Sequence, residues 1–390
     1  MEHKTRIKGN VHYVGVNDRN KHRFEGMWPL PYGVSYNSYL IDDEMVALVD
    51  TVDICYFEVY LRKIKQVIGE RPINYLIINH MEPDHSGSIR LIKQHYPEII
   101  IVGNKQTFGM IEGFYGVTGE QYLVKEGDFL ALGHHKLRFY MTPMVHWPET
   151  MMTFDETDGV LFSGDGFGCF GTVDGGFLDT RINVDKYWGE MVRYYSNIVG
   201  KYGSPVQKAL QKLGGLPISA ICSTHGPVWT ENIAKVIGIY DRLSRYDADE
   251  GVVIAYGSMY GNTEQLSAQG VKNIVMHNVT KSHPSYIIAD IFRYKGLIIG
   301  SPTYSNQIFP EVEALLSKIL LREVKGRYLG YFGSFTWAGA AVKRLAEFAE
   351  KSKFELVGDP VEMKQAMKDL TYTQCENLAR AMADRLKKDR

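Results

Sequence analysis

Residues 73–85 read INYLIINHMEPDH. The apolar first half, rich in β-branched residues, predicts a buried strand over Ile73–His80. The polar second half holds four potential metal ligands within six positions: His80, Glu82, Asp84 and His85. Loops at strand ends are common places for binding residues, because the strands hold the loops in position. The segment therefore predicts a sheet with a metal site at one edge.

Other apolar runs in the first half of the chain end in the same way. Tyr36–Thr51 reads as two strands joined by a polar turn at Asp42–Glu44. Further strands are predicted at Glu98–Asn104, Lys136–His146, Gly159–Asp165 and Ile218–His225. Three of these runs stop at another ligand type: His146, Asp165 and His225. A lone histidine is more often structural, but four imidazoles and three carboxylates at corresponding strand ends indicate a metal site.

The ligand pattern resembles a known family. The arrangement H-x-E-x-D-H, followed by a distant His, Asp and His, resembles the metallo-β-lactamase superfamily, and this implies an αβ/βα sandwich. Zinc hydrolases of that superfamily usually have a second histidine where this chain has Glu82. Hard carboxylates suit iron, whereas a histidine-rich set suits zinc better. The glutamate variant is similar to flavodiiron proteins.

That resemblance implies a role for each candidate residue. One iron is expected on His80, Glu82 and His146, the other on Asp84, His85 and His225, with Asp165 bridging the two. Family members differ in whether the residue at the position of His85 reaches the iron. The resemblance also implies two pocket residues, Tyr195 and Glu25. Glu25 lies in Phe24-Glu25-Gly26, where many family members have a histidine.

The pattern changes near Asp241–Glu250, where a charged run gives way to an apolar one. This predicts two domains, 1–249 and 250–390. Beyond the seam, predicted strands (251–256, 297–300, 328–333, 354–357) alternate with predicted helices (264–271, 311–320, 338–351). Such alternation is typical of a doubly wound parallel sheet, and here it resembles flavodoxin.

Three loops after these strands predict an FMN site. The first is a turn of small residues before a helix, where backbone N–H groups can surround a phosphate. This loop matches neither a Walker A loop nor a dinucleotide fingerprint. The other two loops offer Tyr304 and Trp337 as faces for an isoalloxazine ring. The predicted contacts are Ser258, Met259, Tyr260, Gly261, Asn262, Thr263, Pro302, Thr303, Tyr304, Asn306, Ser334, Phe335, Thr336, Trp337 and Gly339.

Composition excludes several classes of protein. The formal net charge of -1 gives no basic surface for nucleic acid. No apolar run is long enough to span a membrane, and the first residues lack the apolar core of a signal peptide, so a cytoplasmic location is expected. The four cysteines lie far apart, so neither a disulfide framework nor an iron–sulfur cluster is expected.

By resemblance, the chain is expected to pass electrons from FMN to a diiron centre that reduces O₂ to water, NO to N₂O, or both. The family implies the minimal two-domain class, a rubredoxin-like donor, and a head-to-tail homodimer or a dimer of dimers. Two alternatives stay open from the residues alone. One is a zinc hydrolase with an attached flavodoxin-like module, and the other is a non-catalytic flavin electron carrier.

Overall fold

A computed structural model describes residues 5–259 and 273–389. The chain forms two compact units. The first contains the residues through Tyr195 and Ser204–Asp241, and the second contains Ser196–Gly203 and the residues from Arg242 onward. Within the second unit, the Asn197 side-chain amide donates to the Ser285 carbonyl at 3.1 Å, which ties the short segment to that unit. The domain bounds 1–249 and 250–390 stay a prediction.

The first unit contains two sheets. One is antiparallel at its start and parallel over its last four strands; in spatial order its strands are Arg6–Lys8, Val11–Tyr13, Tyr39–Ile41, Ala47–Val49, Tyr75–Ile77, Ile100–Gly103 and Gln121–Leu123. The other is antiparallel except for its last pair; its strands are Phe129–Ala131, Lys136–Met141, Met151–Asp155, Val160–Gly164 and Ala220–Ser223. Buried side chains of both sheets form one core, which includes Val49, Ile77, Phe139 and Phe162.

Helices and two short antiparallel strand pairs complete the first unit. The pairs are Val16–Asp18 with Val34–Tyr36 and Arg23–Phe24 with Trp28–Pro29. The helix Phe57–Ile68 has a buried face with apolar residues at helical spacing, including Tyr60, Leu61 and Ile64. The other α-helices are Pro83–Ser86, Ile89–His95, Lys105–Tyr115, Asp185–Tyr194, Gly203–Leu213 and Ile233–Ser244. A 3₁₀ turn lies at Ile54–Tyr56. The π-helical turn Tyr195–Val199 and the 3₁₀ turn Gly200–Tyr202 fall almost wholly in the segment Ser196–Gly203, which belongs to the second unit.

The second unit is a parallel sheet with helices between its strands. In spatial order the strands are Ile274–Asn278, Asp249–Tyr256, Tyr294–Tyr304, Tyr328–Phe335 and Glu355–Leu356, with Val361–Lys364 also paired to the fourth and Gln307–Ile308 antiparallel to the third. Its described helices are Pro284–Arg293, Pro310–Leu321, Ala341–Ser352 and Asp369–Lys387. This is the doubly wound order that the strand–helix alternation predicts. The helix predicted at Glu264–Val271 lies outside the described residues.

One end of the first unit joins its two sheets through a buried histidine. His135 directly precedes a strand of the second sheet, and Asp43 lies in the turn before Ala47–Val49 of the first. The His135 ring is 1% exposed; its Nδ1 lies 2.8 Å from Asp43 and its Nε2 lies 3.2 Å from Asp158. Burial lowers the pKa of His135, but the hydrogen bond to Asp43 and the charge of Asp155 raise it above the usual value of 6.5.

We predict that His135→Gln changes how stability depends on pH. A raised pKa in the folded state means that the imidazolium stabilises the fold fully below pH 6.5, and this contribution is lost as pH rises through the folded pKa. Replacement removes hydrogen bonds to a charged group, so the unfolding free energy should fall by about 1.5–3 kcal/mol at pH 6.

The measurement is urea unfolding of the wild type and of His135→Gln across pH 5.5–9. Both proteins have the same metal site, so its pH dependence cancels in the difference between them. The difference between wild type and His135→Gln should be largest at the acid end and should shrink as pH rises. A difference that is constant with pH would contradict a charged His135.

Candidate metal centre

Asp165 lies between two groups of buried side chains. It follows the strand Val160–Gly164 and is 0% exposed. Its Oδ2 faces the first group: it lies 2.9 Å from His146 Nε2 and 3.6 Å from His80 Nε2. Glu82 completes this group, because its Oε2 lies 3.2 Å from His146 Nε2 and 3.7 Å from His80 Nε2. The first group therefore offers two imidazoles and two carboxylate oxygens.

The other oxygen of Asp165 faces a matching group. Asp165 Oδ1 lies 3.3 Å from His85 Nε2 and 3.6 Å from His225 Nε2. Asp84 lies against both rings, with Oδ1 3.5 Å from His85 Nε2 and Oδ2 3.3 Å from His225 Nε2. This second group also offers two imidazoles and two carboxylates, and both oxygens of Asp84 face its rings. The structure thus brings together all seven residues that the sequence predicts as ligands.

Buried partners orient the rings. His80 Nδ1 donates to Glu149 Oε1 at 2.6 Å, and His225 Nδ1 donates to the Ser35 carbonyl at 2.7 Å. In both cases Nε2 is left to face Asp165. The backbone is held as well, since Asp50 accepts from the backbone N–H of Asn79 at 2.8 Å. Fixing the second ring nitrogen in this way is the usual arrangement for metal-binding histidine.

The site is chemically suited to cations. Among residues 5–259 and 273–389, several atoms of the site are buried without a hydrogen-bond partner: His80 Nε2, both Asp84 oxygens, both His85 nitrogens and His225 Nε2. Buried polar atoms are rarely left unpaired, because desolvation is costly. Burial lowers the pKa of His85, but Asp84 and Asp165 raise it to about 10. Burial raises the pKa of Asp165, yet His85 and His146 hold it well below its usual value. The mixed nitrogen and oxygen donors fit a pair of iron ions.

An aromatic wall lies beside the second group. The Phe24 ring lies 5.3 Å from the His225 ring, and the Tyr194 ring lies 5.7 Å from it. Burial, with the charge of Asp165 next, raises the pKa of Tyr194 well above 10. Tyr195 instead packs edge-on against Tyr240 at 5.0 Å. Of these two adjacent tyrosines, the structure places the ring of Tyr194, the last residue of the helix Asp185–Tyr194, beside a predicted ligand. A pocket role for Tyr195 stays a prediction.

Glu25 lies in the tight turn between the short strands Arg23–Phe24 and Trp28–Pro29. Glu25 and Gly26 are the central residues of a turn that the Met27 N–H closes by donating to the Phe24 carbonyl at 2.9 Å, and both have positive φ, 48° and 69°. Glu25 Oε2 accepts from Trp28 Nε1 at 2.9 Å. Burial and the charge of Glu82 raise the pKa of Glu25. Its carboxylate therefore lies within electrostatic reach of the first group.

Comparison with known proteins identifies the relatives. The chain is 32% identical over 363 residues to the anaerobic nitric oxide reductase flavorubredoxin of Vibrio vulnificus (strain YJ016), covering 90% of this chain and 73% of that protein. Rubredoxin oxygen:oxidoreductase from Desulfovibrio gigas superposes with a TM-score of 0.94 at 30% identity, with 98% of each chain covered. The chain belongs to the flavodiiron protein family. Another solved structure, the flavodiiron protein from Giardia intestinalis, superposes with a TM-score of 0.90 at 25% identity, with 99% of each chain covered.

The family model of the ODP family β-lactamase domain matches residues 34–226, which include all seven predicted ligands. The predicted fold class, a metallo-β-lactamase-like sandwich plus a flavodoxin-like sheet, is confirmed by this match and by the flavodiiron structures. Within residues 5–259 and 273–389, no helix is both long and apolar enough to cross a membrane.

The second unit of this flavodiiron protein presents two of the predicted flavin loops. They follow Tyr294–Tyr304 and Tyr328–Phe335, at the carboxyl ends of neighbouring parallel strands. Ser305 and Asn306 both have positive φ and form the turn that presents Tyr304. Thr303 Oγ1 accepts from the Ala340 N–H at 3.0 Å, which joins the two loops. Tyr304 and Trp337 are 49% and 80% exposed.

Some of the remaining residues that are predicted to contact FMN lie among the described residues, and others do not. Ser258 and Met259 follow the strand Asp249–Tyr256, and Pro302, Asn306, Ser334, Phe335, Thr336 and Gly339 lie in or beside the two described loops. Tyr260, Gly261, Asn262 and Thr263 lie outside the described residues. Two exposed aromatic faces at adjacent strand ends fit a planar ring. FMN binding by these residues stays a prediction.

Three residues of the site were not singled out as functional from sequence: Asp50, Thr224 and Tyr194. Asp50 follows Ala47–Val49 as His80 follows its own strand, so the strand-end pattern could have indicated it. Thr224 directly precedes His225, and its hydroxyl donates to Asp165 Oδ1. No spacing signal in the sequence distinguishes such a hydroxyl from an ordinary loop residue.

We predict that Asp165→Ala lowers iron content from two ions per chain to at most one, because it removes an oxygen from each group. Elemental analysis of the purified protein measures this. The matched control is Asp174→Ala, which removes an exposed carboxylate of the same unit. Retention of two irons in Asp165→Ala would contradict the bridging role.

Proposed function

We propose that this protein is an oxidoreductase that reduces O₂ to water, NO to N₂O, or both, at a diiron centre supplied with electrons by FMN. The observation that supports this most is the pair of similar ligand groups around Asp165, each with two imidazoles and two carboxylates. Glu82 takes part in one of them. Carboxylate-rich donor sets suit iron in redox use.

The names of the relatives support both substrates. The Vibrio vulnificus relative is named a nitric oxide reductase, and the Desulfovibrio gigas structure is named an oxygen oxidoreductase. Both names also include rubredoxin, so we propose a rubredoxin-type protein as the electron donor. The proposal places the enzyme in the cytoplasm.

When bound, the irons and the flavin supply the redox chemistry, one electron per iron with the flavin replenishing both. The chain's own residues have three tasks. One metal would be held by His80, His146 and Glu82, and the other by Asp84, His85 and His225, with one oxygen of Asp165 facing each set. Phe24 and Tyr194 cover the second group with aromatic surface. Within the part of the chain that the structure describes, the Tyr194 hydroxyl is buried without a hydrogen-bond partner, so it is available to donate to a bound substrate atom.

The zinc-hydrolase and electron-carrier alternatives predict different contents and activities. Elemental analysis and a visible spectrum of the purified protein should show two irons and one FMN per chain. The protein, once reduced, should consume O₂ or NO in an electrode assay. Two zinc ions without flavin would favour a hydrolase, and loaded protein that consumes neither gas would favour the carrier.

We predict that Tyr194→Phe lowers the rate of gas consumption by about 100-fold, the typical effect of removing one proton donor from a reacting site. Iron and FMN content should stay at the wild-type level, because the hydroxyl is not among the ligand groups. Tyr195→Phe is the matched variant, since it removes the same atom from the adjacent residue. A larger loss of activity in Tyr195→Phe than in Tyr194→Phe would support Tyr195, the residue that the sequence predicts, as the pocket tyrosine.

We also propose a head-to-tail homodimer, alone or as half of a dimer of dimers, in which the FMN of one chain serves the irons of the other. Tyr304 and Trp337 support this, because large exposed aromatic side chains commonly mark surface that a partner covers. Two-fold dimers are also the commonest assemblies of identical chains.

We predict that two inactive variants recover activity when mixed. Asp84→Ala should lack iron in the second group, and Thr263→Arg should lack FMN because it alters the predicted phosphate loop. Each mixed dimer would contain one intact pair of centres, so about a quarter to a half of wild-type activity should return. The measurement is gas consumption after subunit exchange, verified by native mass spectrometry. Verified exchange without recovery would place electron transfer within one chain.

A further inference from the structure

The two ligand groups match in their donor atoms. Each has two imidazole nitrogens, one terminal carboxylate and one oxygen of Asp165. Glu82 turns one oxygen to both imidazoles of its group, whereas Asp84 turns a separate oxygen to each imidazole of its own. The donor types are the same, so the groups that contact the ligands become a main source of any difference in reduction potential between two irons held there.

The imidazoles differ in the charge of their buried partners. His80 donates to Glu149, which is 1% exposed and also accepts from the Met81 N–H at 2.9 Å. Its partner oxygen is thus held in place by a second, backbone donor. His225 instead donates to the Ser35 carbonyl, which is neutral. A carboxylate partner makes an imidazole a stronger donor to its metal than a carbonyl does.

The two oxygens of the Asp165 carboxylate also differ in their hydrogen bonds. The Thr224 hydroxyl donates to Asp165 Oδ1, the oxygen that faces His85 and His225. A hydrogen bond to a carboxylate oxygen withdraws electron density from it, so Oδ1 becomes the weaker donor. Glu149 therefore raises the electron density on a ligand of the first group, and Thr224 lowers the electron density on a ligand of the second group. Both contacts act in the same direction.

We propose that Glu149 and Thr224 make the two iron positions inequivalent, so that the iron on His80, His146 and Glu82 is oxidised first. The inference rests on the proposed diiron site. In the test reaction, one Fe(II) of the reduced pair gives one electron to ferricyanide, which becomes ferrocyanide. The pair then holds one Fe(III) in the first group and one Fe(II) in the second. Glu149 and Thr224 are positioning residues, since they act through His80 and Asp165.

The experiment is a redox titration of the full-length, iron- and FMN-loaded protein. The quantity measured is the largest fraction of mixed-valent iron pairs, read from their electron paramagnetic resonance signal and from Mössbauer spectra of ⁵⁷Fe protein. Unequal positions give a large mixed-valent fraction. Glu149→Gln keeps the size and the acceptor oxygen but removes the charge, so this fraction should fall. Iron affinity at the first position should weaken by about 10- to 100-fold.

Thr224 provides a second, independent variant. Thr224→Val removes the donor to Oδ1 and should also lower the mixed-valent fraction, whereas Thr224→Ser keeps the hydroxyl and should restore it. Glu112→Gln removes an exposed charge on the helix Lys105–Tyr115 and should leave the fraction unchanged. If Glu149→Gln does not retain two irons, the Thr224 pair alone decides.

The outcomes separate this inference from the proposed function. A wild-type protein with two irons and gas-reducing activity, but with mixed-valent fractions that are the same in Glu149→Gln and Thr224→Val, overturns the inference and leaves the function intact. Wild-type protein that binds no iron pair overturns both. A fall in both variants that Thr224→Ser reverses supports the inference.

Discussion

The arrangement of the candidate metal centre depends on one carboxylate, Asp165, that lies between two groups of ligands. Asp165 is fully buried, and its two oxygens face opposite groups of side chains. That geometry requires ligands from both sheets of the first unit to meet at one end. The parallel pair Val160–Gly164 and Ala220–Ser223 brings Asp165 and His225 to the same edge. The parallel strands Ala47–Val49 and Tyr75–Ile77 do the same for Asp50 and the loop that begins at His80.

The ligand set could be predicted from sequence because strand ends are local signals. An apolar run, its last residue and the ligand that follows lie within a few positions, and parallel pairing then brings the ends together. Tyr194 could not be separated from Tyr195 in this way. Both are buried, and only the phase of the helix Asp185–Tyr194 and the π-helical turn after it decides which ring meets His225. Rotation about a helix axis depends on packing that sequence spacing alone does not fix.

Features that depend on long-range contacts also could not be predicted from the sequence. The segment Ser196–Gly203 has the composition of its neighbours, yet it belongs to the second compact unit. Its placement depends on contacts with residues nearly ninety positions away, such as that of Asn197 with Ser285. By contrast, a loop carrying Tyr304 after the predicted strand 297–300 is a local signal, although the strand continues to Tyr304 and the turn itself is only Ser305 and Asn306.

The cost of burying the centre explains why metal and fold are linked. Seven ionisable side chains lie together with little exposure to water. Without metal, protons must supply the opposing charge, and this is why Asp84 and Asp165 raise the pKa of His85 to about 10 although burial lowers it. Cations that displace these protons satisfy the same carboxylates and also the unpaired ring nitrogens. Binding then contributes directly to the stability of the folded state, since the unfolded chain has no such convergent site. The side chains at these strand ends that make the site costly to bury are therefore the same ones that offer ligands to a metal ion.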